Sequence, residues 1–177
     1  MEVYVCQVKT GEEQKFIQLY SALQSAFALD MVIHSPRREL TIRRAGKLLK
    51  ETKPLFPGYL FIEAEDMEPA RFRSLRSTPG FFRMLPENSR IRPLDADTRY
   101  ILGQLVHHGE VLGLSQVQFQ EDGKIRVLSG PLEGLEGHLV KVNRRKRRAR
   151  IRLDLYETAH LVDLGFEELE PLQEPQK

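Results

Sequence analysis

A single cysteine in 177 residues means that no disulfide forms within this chain. No Cys or His pair has metal-ligand spacing, so neither a metal site nor a cofactor is expected. No apolar run approaches the ~20 residues that cross a bilayer, which excludes a helical membrane span. The start, Met1-Glu2-Val3-Tyr4-Val5, carries an acid at position two and alternates like a strand. It lacks the basic start and small-residue cleavage site of a secretion signal, so a cytoplasmic protein with no membrane partner is expected. Catalytic groups are equally scarce. Asp95 with Asp97 and His107 with His108 are the only candidate acid–base pairs, and neither lies in a glycine-rich phosphate loop or beside a plausible nucleophile. Asp95 reads better as a helix cap and the histidines as a helix end, so no catalytic residue is assigned and no enzyme is expected.

What the chain does have is local charge. Between Lys141 and Arg152 stand eight cations and no acid: Lys141, Arg144, Arg145, Lys146, Arg147, Arg148, Arg150 and Arg152, with Asn143 among them. Setting these eight aside from 27 Lys and Arg leaves 19 against 25 Asp and Glu, so the remainder is net acidic by six. Basicity confined to one segment directs a polyanion to one face. The alternative is a solvated hairpin whose cations bind nothing. So many like charges repel one another until a counter-charge arrives, which favours the binding reading.

With 41% hydrophobic residues the chain can bury one ordinary core, or one core and a small satellite. Val3 to Val8 alternates as a first strand, with Cys6 as a buried small hydrophobe. Thr10 and Glu13 have capping-box spacing, opening a helix with Phe16, Leu19, Tyr20, Leu23 and Phe27 on one stripe. Met31 to His34 is β-rich. Arg38 to Arg43, the turn Ala45-Gly46-Lys47, and Leu48 to Thr52 read as a projecting hairpin. Lys53-Pro54-Leu55-Phe56-Pro57-Gly58-Tyr59-Leu60-Phe61-Ile62 places exposed aromatics, Phe56 and Tyr59, around a rigid bend before a strand running to Ala64. Asp66 caps a short helix through Arg76, with Pro69 in its first turn. Phe81 to Leu85 is a further strand, and Asp95 caps a last helix with Ile101, Leu102, Leu105 and Val106, ended by Gly109.

Residues 108–121 show no steady period and read as the connection between a domain over 1–107 and one over 122–172, with 173–177 as a tail. The second unit has short strands at Lys124–Leu128, Gly137–Val142, Ala149–Leu153 and Ala159–Val162, which suits a small closed barrel. The cationic run then forms the hairpin between its second and third strands, with its tip near Arg145 to Arg148. Arg148, Arg150 and Arg152 project from one face while Ala149, Ile151 and Leu153 face the core, so the cations form a row.

The order of these elements carries a resemblance. The Lys53–Ile62 string, Arg76-Ser77-Thr78-Pro79-Gly80, and Val127-Leu128-Ser129-Gly130-Pro131-Leu132-Glu133-Gly134-Leu135-Glu136-Gly137 together resemble the NusG family of transcription elongation factors over nearly the whole chain. The resemblance implies an α+β fold. An N-terminal NGN domain, an antiparallel sheet flanked by helices, precedes a small all-β SH3-like KOW barrel. Within the family, Asn143 to Arg150 is most similar to the specialised antiterminator branch LoaP. An all-helical second domain, as in one member, conflicts with Gly130, Pro131, Gly134 and Gly137, which break helices.

The resemblance also implies partners. The NGN domain would sit on the clamp helices of the RNA polymerase largest subunit, with Tyr4, Phe56 and Tyr59 lining an apolar depression; Val3 stands where many members have tryptophan. The tyrosines read equally well as core aromatics. Arg71, Arg73 and Arg76, the last two on one helix face, are candidate contacts to non-template DNA or an opposing polymerase loop, or else solvated charge. Arg37, Arg38, Arg43 and Arg44 bracket the hairpin as candidate contacts to upstream DNA. The cationic row, Lys141 to Arg152 with Asn143, would grip nascent RNA, a structured leader being a sensible target. The expected function is elongation and antitermination by a monomer with poor activation of Rho. The alternatives are a housekeeping factor that couples polymerase to Rho or the ribosome through a face around Leu155 and Tyr156, and a stand-alone ribosome-associated RNA-binding protein.

Overall fold

Period-two alternation decides how the first half is layered. In the computed structural model, which describes residues 1–24 and 30–169 (Gln24 by its backbone only), strand β1 (Glu2–Val8) pairs antiparallel with β5 (Tyr59–Ala64) and β6 (Phe81–Met84). With β2 (Val32–His34) they form a sheet ordered β2-β5-β1-β6. Tyr4, Cys6 and Val8 of β1 and Leu60, Ile62 and Ala64 of β5 face one side, packing on Phe16 and Tyr20 of helix α1 (Glu13–Gln24) and Leu75 of α2 (Pro69–Arg76). Val5 and Phe61 face the other side, against Ile101, Leu102 and Leu105 of α3 (Ala96–His107). Alternate side chains point to opposite faces of a strand, so a sheet covered on both sides needs apolar residues at consecutive positions. Phe27, expected on the stripe of α1, lies outside the described residues, as do residues 170–172 and the tail 173–177.

The remaining elements of this half follow local chemistry. Strands β3 (Arg37–Arg44) and β4 (Lys47–Pro54) form the projecting hairpin, with Ala45 and Gly46 both at positive φ in its two-residue turn. Asp95 caps α3, its Oδ1 accepting from the Thr98 N–H at 2.9 Å; these bonds and the backbone amides hold the carboxyl below its usual range. Pro69 occupies the first position of α2, while Asp66 bonds the Glu68 N–H and the Arg71 side chain, so it does not cap the helix as expected.

The capping box expected from Thr10 and Glu13 takes another form. The buried Glu13 carboxylate accepts from the Gly11 N–H at 3.0 Å and, across the chain, from the Gly58 N–H at 2.6 Å. Gly58 sits at φ +81°, and a Cβ there would stand 2.7 Å from Thr10 Oγ1. The helix start and the Pro57-Gly58 bend are therefore one unit.

Residues 108–121 differ from the expected connection. They hold β7 (Val111–Leu112), parallel to β3, and β8 (Ser115–Phe119), which pairs antiparallel with β9 (Ile125–Ser129) and parallel with β12 (Thr158–Glu168). Ser115 and Val117 are buried while their neighbours are not, an alternation too short to stand out among Gly, Ser and Gln. With β10 (Leu139–Asn143) and β11 (Arg148–Leu155) the five strands run β10-β11-β12-β8-β9. Ala149, Ile151, Leu153, Val162, Leu164 and Phe166 are its buried core. The architecture is α+β, with helices on an antiparallel sheet followed by a small all-β unit.

The two halves share a core. Leu55, Phe56, Phe61 and Leu112 join Ile151, Leu153 and Val162 in one apolar cluster. β12 lies close enough to β3 that a Cβ on Gly165 would meet the Glu39 carbonyl oxygen at 3.0 Å.

Candidate nucleic-acid interface

The cationic run is held by a hairpin whose register sets the spacing of its charges. Asn143 pairs with Arg148, Val142 with Ala149 and Lys141 with Arg150. Residues 144–147 form the turn, one residue before the expected tip. The Asn143 Oδ1 accepts from the Lys146 N–H at 2.9 Å, and Arg147 adopts φ +51°. A non-glycine residue there is strained by about 1–3 kcal/mol, and the Phe166 N–H holds the turn by donating to the Arg147 carbonyl at 3.0 Å. Asn143, expected among the RNA contacts, thus spends its side-chain oxygen on shaping the turn.

Along β11, Ala149, Ile151, Leu153 and Leu155 are buried and Arg148, Arg150 and Arg152 point outward, as the alternation predicts. The row divides by partner. Arg150 donates two bonds to Asp163, opposite it on β12, at 2.6 and 3.1 Å. Arg152 binds Asp154 at 2.9 Å, and Arg144 forks onto Glu168 while lying over the Phe119 ring. Among the described residues, Lys141, Arg145, Lys146, Arg147 and Arg148 have no carboxylate within 4.0 Å, and the buried Nε of Arg148 has no acceptor. Like charges directly opposite each other, as Lys141 and Arg150 are, are unfavourable, and Asp163 relieves the pair from the Arg150 side.

Asp163 is the focus of a cation cluster that spans both halves. The Arg38 guanidinium, from β3, donates to the Asp163 carbonyl at 2.6 Å. Hydrogen bonding from Arg150, with Arg38 and Arg148 nearby, holds the Asp163 carboxyl below its usual range. Burial, reinforced by Arg148 and Arg150, lowers Arg38. Three guanidinium groups around one carboxylate leave a positive excess at the junction. Neither Arg38 nor Asp163 could be joined to the row from sequence, since β3 and β12 meet only through tertiary packing.

The aromatic positions fare differently. Phe56 and Tyr59 stand on one face, and that face is covered: Phe56 is 3% exposed, so its expected exposure is corrected. His160 of β12 meets both rings edge-on, at centroid distances of 6.1 and 5.0 Å. Tyr4 is buried on the opposite face with Cys6 and Val8, because it is out of phase with Val5 along β1. Nothing in the sequence around His160 signals its place. Arg71 is mostly buried against Asp66, whereas Arg73 and Arg76 are exposed. Leu155 is core, and the Tyr156 hydroxyl donates to the Arg92 carbonyl at 2.7 Å.

Comparison with known proteins places this arrangement. Residues 1–102 match the family described as NusG, transcription termination factor. The transcription termination/antitermination protein NusG of Thermus thermophilus is 29% identical, with 96% of this chain and 97% of that protein aligned. The NusG of Staphylococcus carnosus is 28% identical over 77% of this chain and 75% of its own. A solved structure described as domain interaction in Thermotoga maritima NusG shares the fold, with a TM-score of 0.57, 17% identity and 93% of each chain covered. With more than half of its length matched, the chain belongs to the NusG family of transcription termination and antitermination factors.

Proposed function

We propose that this chain is an elongation and antitermination factor of the LoaP type. It docks on the clamp helices of the RNA polymerase largest subunit through the Phe56 and Tyr59 face and grips nascent RNA with the β10–β11 hairpin. The observation that carries the reading is the set Lys141, Arg145, Lys146, Arg147 and Arg148, five cations on a rigid hairpin without a neighbouring carboxylate among the described residues. Cations left unneutralised by the fold are available to phosphates, and their binding releases counterions and weakens steeply with salt. Arginines add bidentate bonds to phosphate and stacking on splayed bases.

A factor of this kind needs no chemistry of its own. Binding both sides of the nucleic-acid cleft shifts polymerase toward its closed, elongating state by differential affinity, and fewer pauses mean more read-through. In the packed arrangement His160 covers Phe56, so polymerase docking requires the halves to part. The face around Leu155 and Tyr156, through which a housekeeping member would recruit Rho or a ribosomal protein, is taken up by core packing and by Arg92. Arg92 belongs to the first half, so parting frees that face as well, and it is the unpaired cations that favour the antiterminator reading over the coupling one. Arg73 and Arg76 supply a further contact to non-template DNA or a polymerase loop.

The test is titration of the full chain against bacterial core RNA polymerase and against a structured leader RNA. Phe56→Ala weakens the first and leaves the second held by the β10–β11 hairpin; reversing Arg145, Arg147 and Arg148 to glutamate abolishes the second and leaves the first. Loss of both partners by both variants would show that the division of labour is wrong. In a Rho-dependent termination assay the native chain gives little stimulation, and stimulation equal to a housekeeping member's would exclude the antiterminator branch.

A further inference from the structure

Two clefts meet at the cationic hairpin, and one of them is built from both halves of the chain. The first, about 220 Å³, is lined by Lys141, Asn143, Lys146, Arg148, Arg150 and Asp163. The second, about 570 Å³, has Arg145, Lys146, Arg147 and Arg148 on one wall and Thr41, Ile42, Arg43 and Leu48 of the β3–β4 hairpin on the other. Lys146 and Arg148 belong to both, forming a saddle between them. The walls of the larger cleft combine charge with apolar surface. Leu48 is 58% exposed with no apolar partner over it, and Arg43, like the cations facing it, has no carboxylate within 4.0 Å among the described residues. At the base of the saddle the buried Arg148 Nε lacks an acceptor, and the Arg38, Arg148 and Arg150 cluster carries more positive charge than Asp163 neutralises.

We propose that the two clefts form one composite channel for a single strand of RNA, present only while the halves are packed. Phosphates lie along Lys141, Lys146, Arg148 and Arg43, and a splayed base rests on Leu48, the cross-strand neighbour of Arg43, with Arg145 at its edge. A strand rather than a duplex is favoured by the mixed lining. Cations suit phosphates of either form, but an exposed leucine beside arginine offers a surface only to an unstacked base. The inference rests on the reading of the β10–β11 hairpin as RNA-gripping and adds a role for the other hairpin. It carries a linkage consequence: RNA that holds the two hairpins together stabilises the packed state, and with it the cover over Phe56. RNA spanning both hairpins and polymerase bound at Phe56 therefore oppose each other, by the same factor in both directions, and RNA on a polymerase-bound chain keeps the β10–β11 contacts alone.

The experiment measures binding of the full chain to an oligouridylate of about 12 nucleotides across a range of salt, with a short duplex DNA alongside. Arg43→Ala, at the tip of an exposed hairpin, is expected to lower affinity about five- to tenfold and to reduce the salt slope by about 0.7, one phosphate contact on a single strand. Leu48→Ser is expected to lower affinity about three- to fivefold with the salt slope unchanged, as loss of an apolar contact does. Circular dichroism confirms that each variant is folded. If affinity falls only with Arg145→Ala and Arg147→Ala, the composite channel is wrong while RNA binding by the β10–β11 hairpin stands. Equal or tighter binding of the duplex overturns the single-strand assignment, and no binding of the oligouridylate by the native chain overturns the channel altogether. The polymerase titration is read independently, so failure there and failure here are told apart.

Discussion

Tyr59 and His160, one ring from each half of the chain, meet edge to face with centroids 5.0 Å apart and planes at 78°. Phe56 completes the contact from the same bend. The cover over the proposed polymerase-binding face is thus an aromatic cluster with one titratable member.

That member gives the packing a pH dependence. Burial holds the His160 imidazole below its ordinary value, against a smaller opposing pull from Asp154. When the halves part, the ring returns to water and to roughly 6.5. Between the two values the parted state binds more protons, so packing is at full strength above about pH 6.5 and weakens as pH falls through it. The protection factor of the Tyr59 amide, its intrinsic exchange rate at each pH divided by the observed one, is expected to fall from about pH 7.5 to 5.5, and His160→Phe is expected to flatten the response. Identical pH profiles for the two chains would remove His160 from the account.

Glu13 ties the start of α1 to the bend that presents Phe56. Its buried carboxylate receives the Gly11 and Gly58 N–H groups, and removing it leaves both donors without their acceptor. Glu13→Ala is expected to destabilise the chain by about 2–3 kcal/mol, read from the midpoint of urea unfolding. Glu13→Gln, which keeps one carbonyl acceptor, recovers part of the loss.

Partnering along the cationic row predicts unequal effects of substitution. Arg145→Glu with Arg147→Glu is expected to abolish binding of a structured RNA. Arg152→Ala is expected to leave affinity almost unchanged, because Arg152 already bonds Asp154. Filter binding at two salt concentrations separates the cases, and equal losses from both changes would mean that the ion pairs open on binding.

The continuous apolar cluster predicts cooperative unfolding. Ile151 is fully buried within a cluster that also contains Phe56, Phe61 and Leu112. Ile151→Ala is expected to cost about 2–5 kcal/mol. Thermal unfolding of the native chain is expected as a single transition, coincident by far-ultraviolet circular dichroism and tyrosine fluorescence. Two separated transitions would show that the halves are energetically independent.

Much of this was legible beforehand because its causes are local. The alternation of Arg148, Ala149, Arg150 and Ile151 reads as a strand with a charged face. The glycine at position 46 and the aspartate at 95 announce a tight turn and a helix start. Strand β8 was missed because Ser115 and Val117 are a short signal, given meaning only by β9 and β12 on either side. The reach of Glu13 to Gly58 was missed because its partner lies 45 residues on.

The sequence by itself determined the three helices and most of the strands, where the positive charge is concentrated and which family the chain resembles. All of these depend on periodicity, turn chemistry and order along the chain. Only the tertiary structure decided which cations remain unpaired, that Tyr4 lies on the opposite face from Phe56 and Tyr59, that His160 covers the bend, and that Arg43 stands across a cleft from Arg145. Those facts depend on which strand edges and faces meet, and that is set by pairing and burial between separate segments, more than a hundred residues apart for His160 over Phe56 and for Arg43 across from Arg145, where no local pattern carries information.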